Sequence, residues 1–260
     1  MTFEYARSVA DAVLFGGNPM HPYRASALEN RMRWQVGVVA PPGSGEPSFA
    51  RTECLVASTG TPTLEVRVRF LQLRSRTKGT PCDEGVVREV DLRVERFGSE
   101  LAIPFAFPGS ECEERDTIWR TWSLHGVIRF GSEALPHGLH RVRITVENES
   151  PSQEGCGGGH DGMLRRSLIS VHAMLAVDGG ELLSALDPPE RARAAAGVCR
   201  SEHTWPVLVG EPGRFVLSAP IVLPDFPQVA EHRRGLLDDG DDRIPAPRPT
   251  PRAGRGATAG

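Results

Sequence analysis

Apolar side chains recur at every second position through two long stretches, and this constrains the fold more than any other feature. Leu64-Glu65-Val66-Arg67-Val68-Arg69-Phe70-Leu71-Gln72-Leu73 alternates apolar with polar for most of its length, and so does Val86-Val87-Arg88-Glu89-Val90-Asp91-Leu92-Arg93-Val94-Glu95. A period of two puts alternate side chains on one face of an extended chain, so each segment buries one side and wets the other. Similar patterns run from Leu101 to Phe107, Trp122 to Phe130, Leu139 to Val146 and Ser167 to Val177. Asp178-Gly179-Gly180 reads as a hairpin turn with a return strand from Glu181 to Leu186. A last pair surrounds Trp205–Val209 and Arg214–Leu217, and the alternation through Trp34, Val36 and Val38 adds a short early strand. Turn residues between these segments complete the signature of an antiparallel β-sandwich or a barrel-like domain.

Helical signals are few. Val9, Ala10, Ala12, Val13 and Leu14 predict a short amphipathic helix over residues 3–15, broken at Gly16-Gly17-Asn18-Pro19. Ser26-Ala27-Leu28-Glu29 has the form of a capping box. Asp187-Pro188-Pro189-Glu190 places proline in the first turn of a helix over Arg191–Cys199. Beyond Val229 the chain is rich in Asp, Arg and Pro, with too little apolar surface to offset the entropy of ordering. The expected organisation is a helical N-terminal segment over 1–34 packed on the core, a β-rich core over 35–228, and a disordered tail over 229–260.

Charge and cysteine usage narrow the function classes. The formal net charge of −3 is too small to argue for a nucleic-acid or anionic-membrane partner, and none is expected. No apolar run approaches the ~20 residues of a membrane span, and the first residues lack a secretory pattern, so a cytoplasmic protein is expected. Cys54, Cys82, Cys112, Cys156 and Cys199 lie far apart and form no paired-thiol motif. The single lysine, Lys78, sits in a turn-like segment. Glu111-Cys112-Glu113-Glu114 reads as a solvated acidic loop rather than a nucleophile site.

Two constellations suggest chemistry. Cys156, His160 and Asp161 on a glycine-rich loop offer thiolate, imidazole and carboxylate, a set that suits zinc or iron, although the spacing matches no strong metal motif and a surface hairpin loop accounts for it as well. His125, His140 and His172 lie on predicted strands and would converge if the fold were a histidine-lined barrel of cupin type, although there is no His-x-His pair or fixed carboxylate spacing and a satisfied or surface side chain accounts for each histidine alone. No cofactor is expected from the sequence, although these residues would allow a metal ion. No Gly-x-Ser-x-Gly elbow is present, and no motif establishes an enzyme. The basic-aromatic cluster Tyr23, Arg24, Arg31, Arg33 and Trp34 carries the residue types that anchor protein interfaces, and it reads equally as a local cation–π pack that locks the N-terminal segment onto the sheet. Trp205, in Thr204-Trp205-Pro206-Val207-Leu208-Val209-Gly210, reads as a packing anchor of a core strand.

Four segments carry a resemblance. They are His21-Pro22-Tyr23-Arg24-Ala25-Ser26-Ala27-Leu28-Glu29-Asn30-Arg31-Met32-Arg33-Trp34; Leu183-Ser184-Ala185-Leu186-Asp187-Pro188-Pro189-Glu190; Cys199 with Thr204 to Gly210; and Ser218-Ala219-Pro220-Ile221-Val222-Leu223-Pro224-Asp225-Phe226-Pro227. Together they resemble uncharacterised proteins encoded beside actinobacterial-type, high-affinity uptake NiFe-hydrogenase genes. The likeness spans about residues 10 to 230. After Pro227 the sequence departs from the family, where an acidic segment and a helical end are expected. The family has no established catalytic residues. The resemblance implies an accessory or assembly protein that contacts hydrogenase subunits or maturation proteins. A metal-dependent barrel enzyme and a small-ligand-binding sandwich are the alternatives.

Overall fold

The long alternating stretch becomes the centre of one sheet. Residues 2–15, 36–78, 82–114, 117–151 and 159–228 are described by a computed structural model. The chain divides into two units, Met1–Val229 and Ala230–Gly260, and all described residues belong to the first. After helix α1 (Glu4–Leu14) come β1 (Phe49–Ala57), β2 (Thr63–Arg76), β3 (Asp83–Val94), β4 (Leu101–Phe107), β5 (Ser110–Glu114), β6 (Thr117–Thr121), β7 (Leu124–Leu135) and β8 (Leu139–Asn148). Helix α2 (His160–Leu164), β9 (Ile169–Asp178) and β10 (Glu181–Leu183) follow. A 3-10 turn at Glu190–Ala192 leads into α3 (Arg193–Ala196), and β11 (Trp205–Val209) and β12 (Phe215–Ala219) close the order.

The strands form two antiparallel sheets that do not close into a barrel, so the sandwich is the correct member of the expected pair. One sheet runs β10-β1-β8-β7-β4. The other runs β11-β12-β9-β2, with β3 on the far side of β2 and β6-β5 beside its C-terminal end. Val66, Val68 and Phe70 of β2, Leu175 and Val177 of β9, Ile128 of β7 and Ile144 of β8 fill the space between them. The face of the second sheet turned away from this interior is covered as well. There Val9, Ala10, Leu14 and Phe15 pack on Leu71, Met174, Ala176 and Leu217. β9 is therefore buried on both faces over nine residues, which explains its nearly unbroken apolar run. Among the described residues no helix is long and apolar enough to cross a membrane.

Several expected elements differ. β1 carries no alternation in its second half, where Cys54, Leu55 and Val56 are all buried, and it pairs in register with β8 from Phe49 to Ala57. Residues 110–114 are not a loop but an exposed edge strand paired with β6. Val36 to Val38 form no strand; that segment makes a single bridge, Val39 to Leu168. Trp34 and the capping box at 26–29 lie outside the described residues. Asp178-Gly179-Gly180 is a crossover rather than a hairpin, since β9 belongs to one sheet and β10 pairs β1 in the other. The helix expected over 191–199 is confined to residues 193–196. The tail over 229–260 lies outside the described residues.

Candidate interaction surface

The edge of the second sheet is sealed by the segment that follows β12. Leu208 of β11 turns its backbone away from β12; its N–H donates to Asp225 Oδ1 at 2.7 Å, and its carbonyl accepts from the Phe226 N–H at 2.7 Å. Two residues back along the same edge, Pro206 has no N–H to expose. The other Asp225 oxygen accepts from Ser184 Oγ at 2.5 Å. Ser184 Oγ in turn accepts from the N–H groups of Leu186 and Asp187 at 3.0 and 2.8 Å. One carboxylate thus ties together β11, the turn after β10 and the strap over 220–227.

Neighbouring contacts fasten this clasp to both sheets. Ser218 Oγ is bonded at 2.8 Å to both Thr52 Oγ1 of β1 and Thr204 Oγ1, a buried hydroxyl chain that crosses from one sheet to the other. Tyr5 Oη of α1 donates to the Pro227 carbonyl at 3.1 Å. Gly37 abuts Pro220 so closely that a Cβ would lie 2.5 Å from Pro220 Cγ, and its φ of +61° also favours glycine. On the segments so tied, Leu186, Trp205, Val222 and Phe226 remain 59%, 45%, 72% and 37% exposed. The expectation that Trp205 anchors the core is corrected: its backbone belongs to the sheet, but its indole faces out.

Beneath α1 lies a buried ionic centre that the alternation pattern did not reveal. Arg69 is only 1% exposed; its Nε donates to Glu89 Oε1 at 2.9 Å and its Nη1 to Asp11 Oδ1 at 2.8 Å. Nη1 also lies 3.5 Å from His172 Nε2. His172 Nδ1 is 2.8 Å from the Ser170 carbonyl, which can only accept, so the proton sits on Nδ1 and Nε2 faces arginine as an acceptor. Burial first, and the Arg69 charge with it, pushes the His172 pKa down to about 3, against the opposing pull of the Ser170 carbonyl. Ser170 has a φ of +53° at a bulge, where β9 spends three steps between Ile169 and His172 while β2 spends two between Leu71 and Arg69. Phe15 stands edge-on to His172 with ring centroids 5.7 Å apart, and the Ser170 N–H donates to the Val36 carbonyl at 3.1 Å. Chain positions 15 and 36 are therefore both fixed at this bulge.

Tyr23, Arg24, Arg31, Arg33 and Trp34, the expected partner-binding cluster, lie outside the described residues, as does Cys156. His160 and Asp161 are exposed in α2 rather than in a hairpin loop. The three strand histidines do not meet. His172 is under α1 in one sheet, while in the other sheet His125 pairs beside Ala106 at one end of β7 and His140 beside Ala134 at the opposite end. An open sandwich has no common lumen to bring them together, and among the described residues no three His, Cys, Asp or Glu side chains form a metal-binding group. An arginine–aromatic pack does exist elsewhere. Arg74 lies over Trp119 at 4.5 Å and Arg165 over Trp122 at 5.0 Å, with Glu84 and Glu114 bonded to Arg74. Burial pushes the thiols of Cys54 and Cys199 up, with Glu53 adding to the effect at both, so neither is an activated nucleophile.

No protein-family model matches the chain, and no curated protein is detectably similar to it.

Proposed function

We propose that this chain is an accessory or assembly protein of an actinobacterial-type, high-affinity uptake NiFe-hydrogenase system, acting by protein–protein contact in the cytoplasm. The observation that carries the reading is the set of apolar side chains left in water around the Asp225 clasp. Leu186, Trp205, Val222 and Phe226 stand on segments whose backbones are tied down by hydrogen bonds. Rigidly held, exposed apolar groups with a tryptophan among them are typical of partner sites. The edge strand beneath them is already sealed, so a partner would engage side chains rather than add a strand. The link to a hydrogenase rests on the likeness of the four segments. Three of these segments, 183–190, 204–210 and 218–227, supply the clasp and its apolar groups, and the flank of the fourth, at Gly37, abuts Pro220.

The test is binding of the full chain to purified hydrogenase subunits and maturation proteins by biolayer interferometry. Saturable binding to one of them is expected, weakened at least about tenfold by Trp205→Ala, the scale of a central interface tryptophan. The same substitution changes stability by less than about 1 kcal/mol, because the side chain is half in water. Absence of binding to every one of these proteins, together with normal hydrogenase maturation in a deletion strain, would contradict the proposal.

A further inference from the structure

At one end of the sandwich, four connections from both sheets surround an open groove of about 460 Å3. The β1–β2 connection supplies Ser58 and Thr59, and the β7–β8 connection His137 and Gly138. The crossover supplies Gly179 and Gly180, with Glu181 at the start of β10, and the 3-10 turn supplies Arg191. The volume lies in the range of sites for small molecules.

The frame of this groove is tightly built. The Ser58 N–H donates to the Gly138 carbonyl at 2.8 Å, and Ser58 Oγ donates to the Gly179 carbonyl at 2.8 Å. A Cβ on Gly138 would stand 2.8 Å from the Ser58 carbonyl oxygen, and one on Gly180 would stand 3.0 Å from that of Ala57. His137 and Gly138, which line the groove, have consecutive positive φ angles, 65° and 68°. The frame thus uses both hydrogen-bond donors of Ser58. The functional side chains on it are uncommitted: those of Thr59, His137, Glu181 and Arg191 make no hydrogen bond or ion pair to another described residue.

We propose that this groove binds a small zwitterion, a free amino acid or a short peptide. Its carboxylate would sit on Arg191 and His137, its ammonium on Glu181, and Thr59 would add a hydroxyl partner. Arginine supplies a planar pair of donors matched to a carboxylate, and an ionised glutamate accepts from an ammonium. A ligand with both charges uses both kinds of group, whereas a simple anion would leave Glu181 opposed to it.

Titration of the full chain with glycylglycine, followed by amide NMR, tests the assignment. Saturable shifts confined to residues 58–59, 137–138, 179–181 and 191 are expected. Arg191→Ala and Glu181→Gln should each weaken binding at least about tenfold, the scale of one lost charge-assisted hydrogen bond. Both residues are exposed, so unchanged spectra elsewhere report that each variant is folded. Acetate and ethylamine, with one charge each, should not saturate the same amides at equal concentration. The proposal is overturned if glycylglycine produces no saturable shift there, if either variant binds as tightly as the parent chain, or if acetate alone reproduces the effect.

Discussion

Arg69 holds its charge out of water against two carboxylates that remain partly wet, Asp11 and Glu89, at 29% and 28% exposure. Removing the arginine leaves both without their shared partner and opens a void under α1. Arg69→Ala should therefore cost about 3 kcal/mol, the low end for breaking a buried pair, read as a drop in urea unfolding free energy. His172 sets a pH dependence of definite sign. Its pKa falls from the ordinary 6.5 to about 3 on folding. Between those values the unfolded chain binds more protons than the folded one. This contribution is complete above about pH 6.5 and is lost as pH falls toward 3, by at most about 1.4 kcal/mol per pH unit. His172→Gln should flatten the fall in unfolding free energy between about pH 6.5 and 4; an unchanged slope would remove His172 as its source. Neither residue's role was legible in the sequence. Alternation placed Arg67 and Arg69 correctly on the side of β2 opposite the core, but a period-two pattern cannot say that a helix fifty residues earlier covers that side. Trp205 was misjudged for a related reason: its strand is real, and burial of the strand does not extend to every side chain on it.

At the scale of elements, the clasp explains why β11 can sit at a sheet edge with an apolar sequence. Asp225→Ala frees the Leu208 N–H and the Ser184 hydroxyl together. A loss of about 1–3 kcal/mol is expected, as for a buried donor deprived of its acceptor. The opened edge should also self-associate with rising concentration, seen in sedimentation velocity. A variant that stays monomeric with unchanged stability would show that the clasp seals nothing. The strands best read from the sequence were those whose two faces differ, β2, β3, β4 and β8, and the fully apolar β9. β1 escaped because Arg51 and Glu53, on the face away from the shared interior, put charged residues in ion pairs with Glu202 and Arg143, while Glu53 itself is buried and Cys54, Leu55 and Val56 are buried on both faces. The crossover at Asp178-Gly179-Gly180 has the composition of a hairpin turn. Turn chemistry fixes the local reversal, but which strand β10 then pairs with is decided by β1, more than a hundred residues away.

For the whole molecule, period-two hydrophobicity was sufficient to indicate two pleated layers with a shared interior. It could not distinguish an open sandwich from a closed barrel, because closure depends on which strands pair at the edges. That distinction removed the histidine-lined lumen that the alternative of a metal-dependent barrel enzyme required. The proposed function places the working surface of this protein on the segments gathered by Asp225. The decisive measurement is hydrogen–deuterium exchange of the chain with and without the hydrogenase protein that the proposal gives it as a partner. Slowed exchange concentrated in residues 184–190, 204–210 and 218–227 is predicted. Protection confined to other faces, with those three segments exchanging as in the free chain, would contradict it.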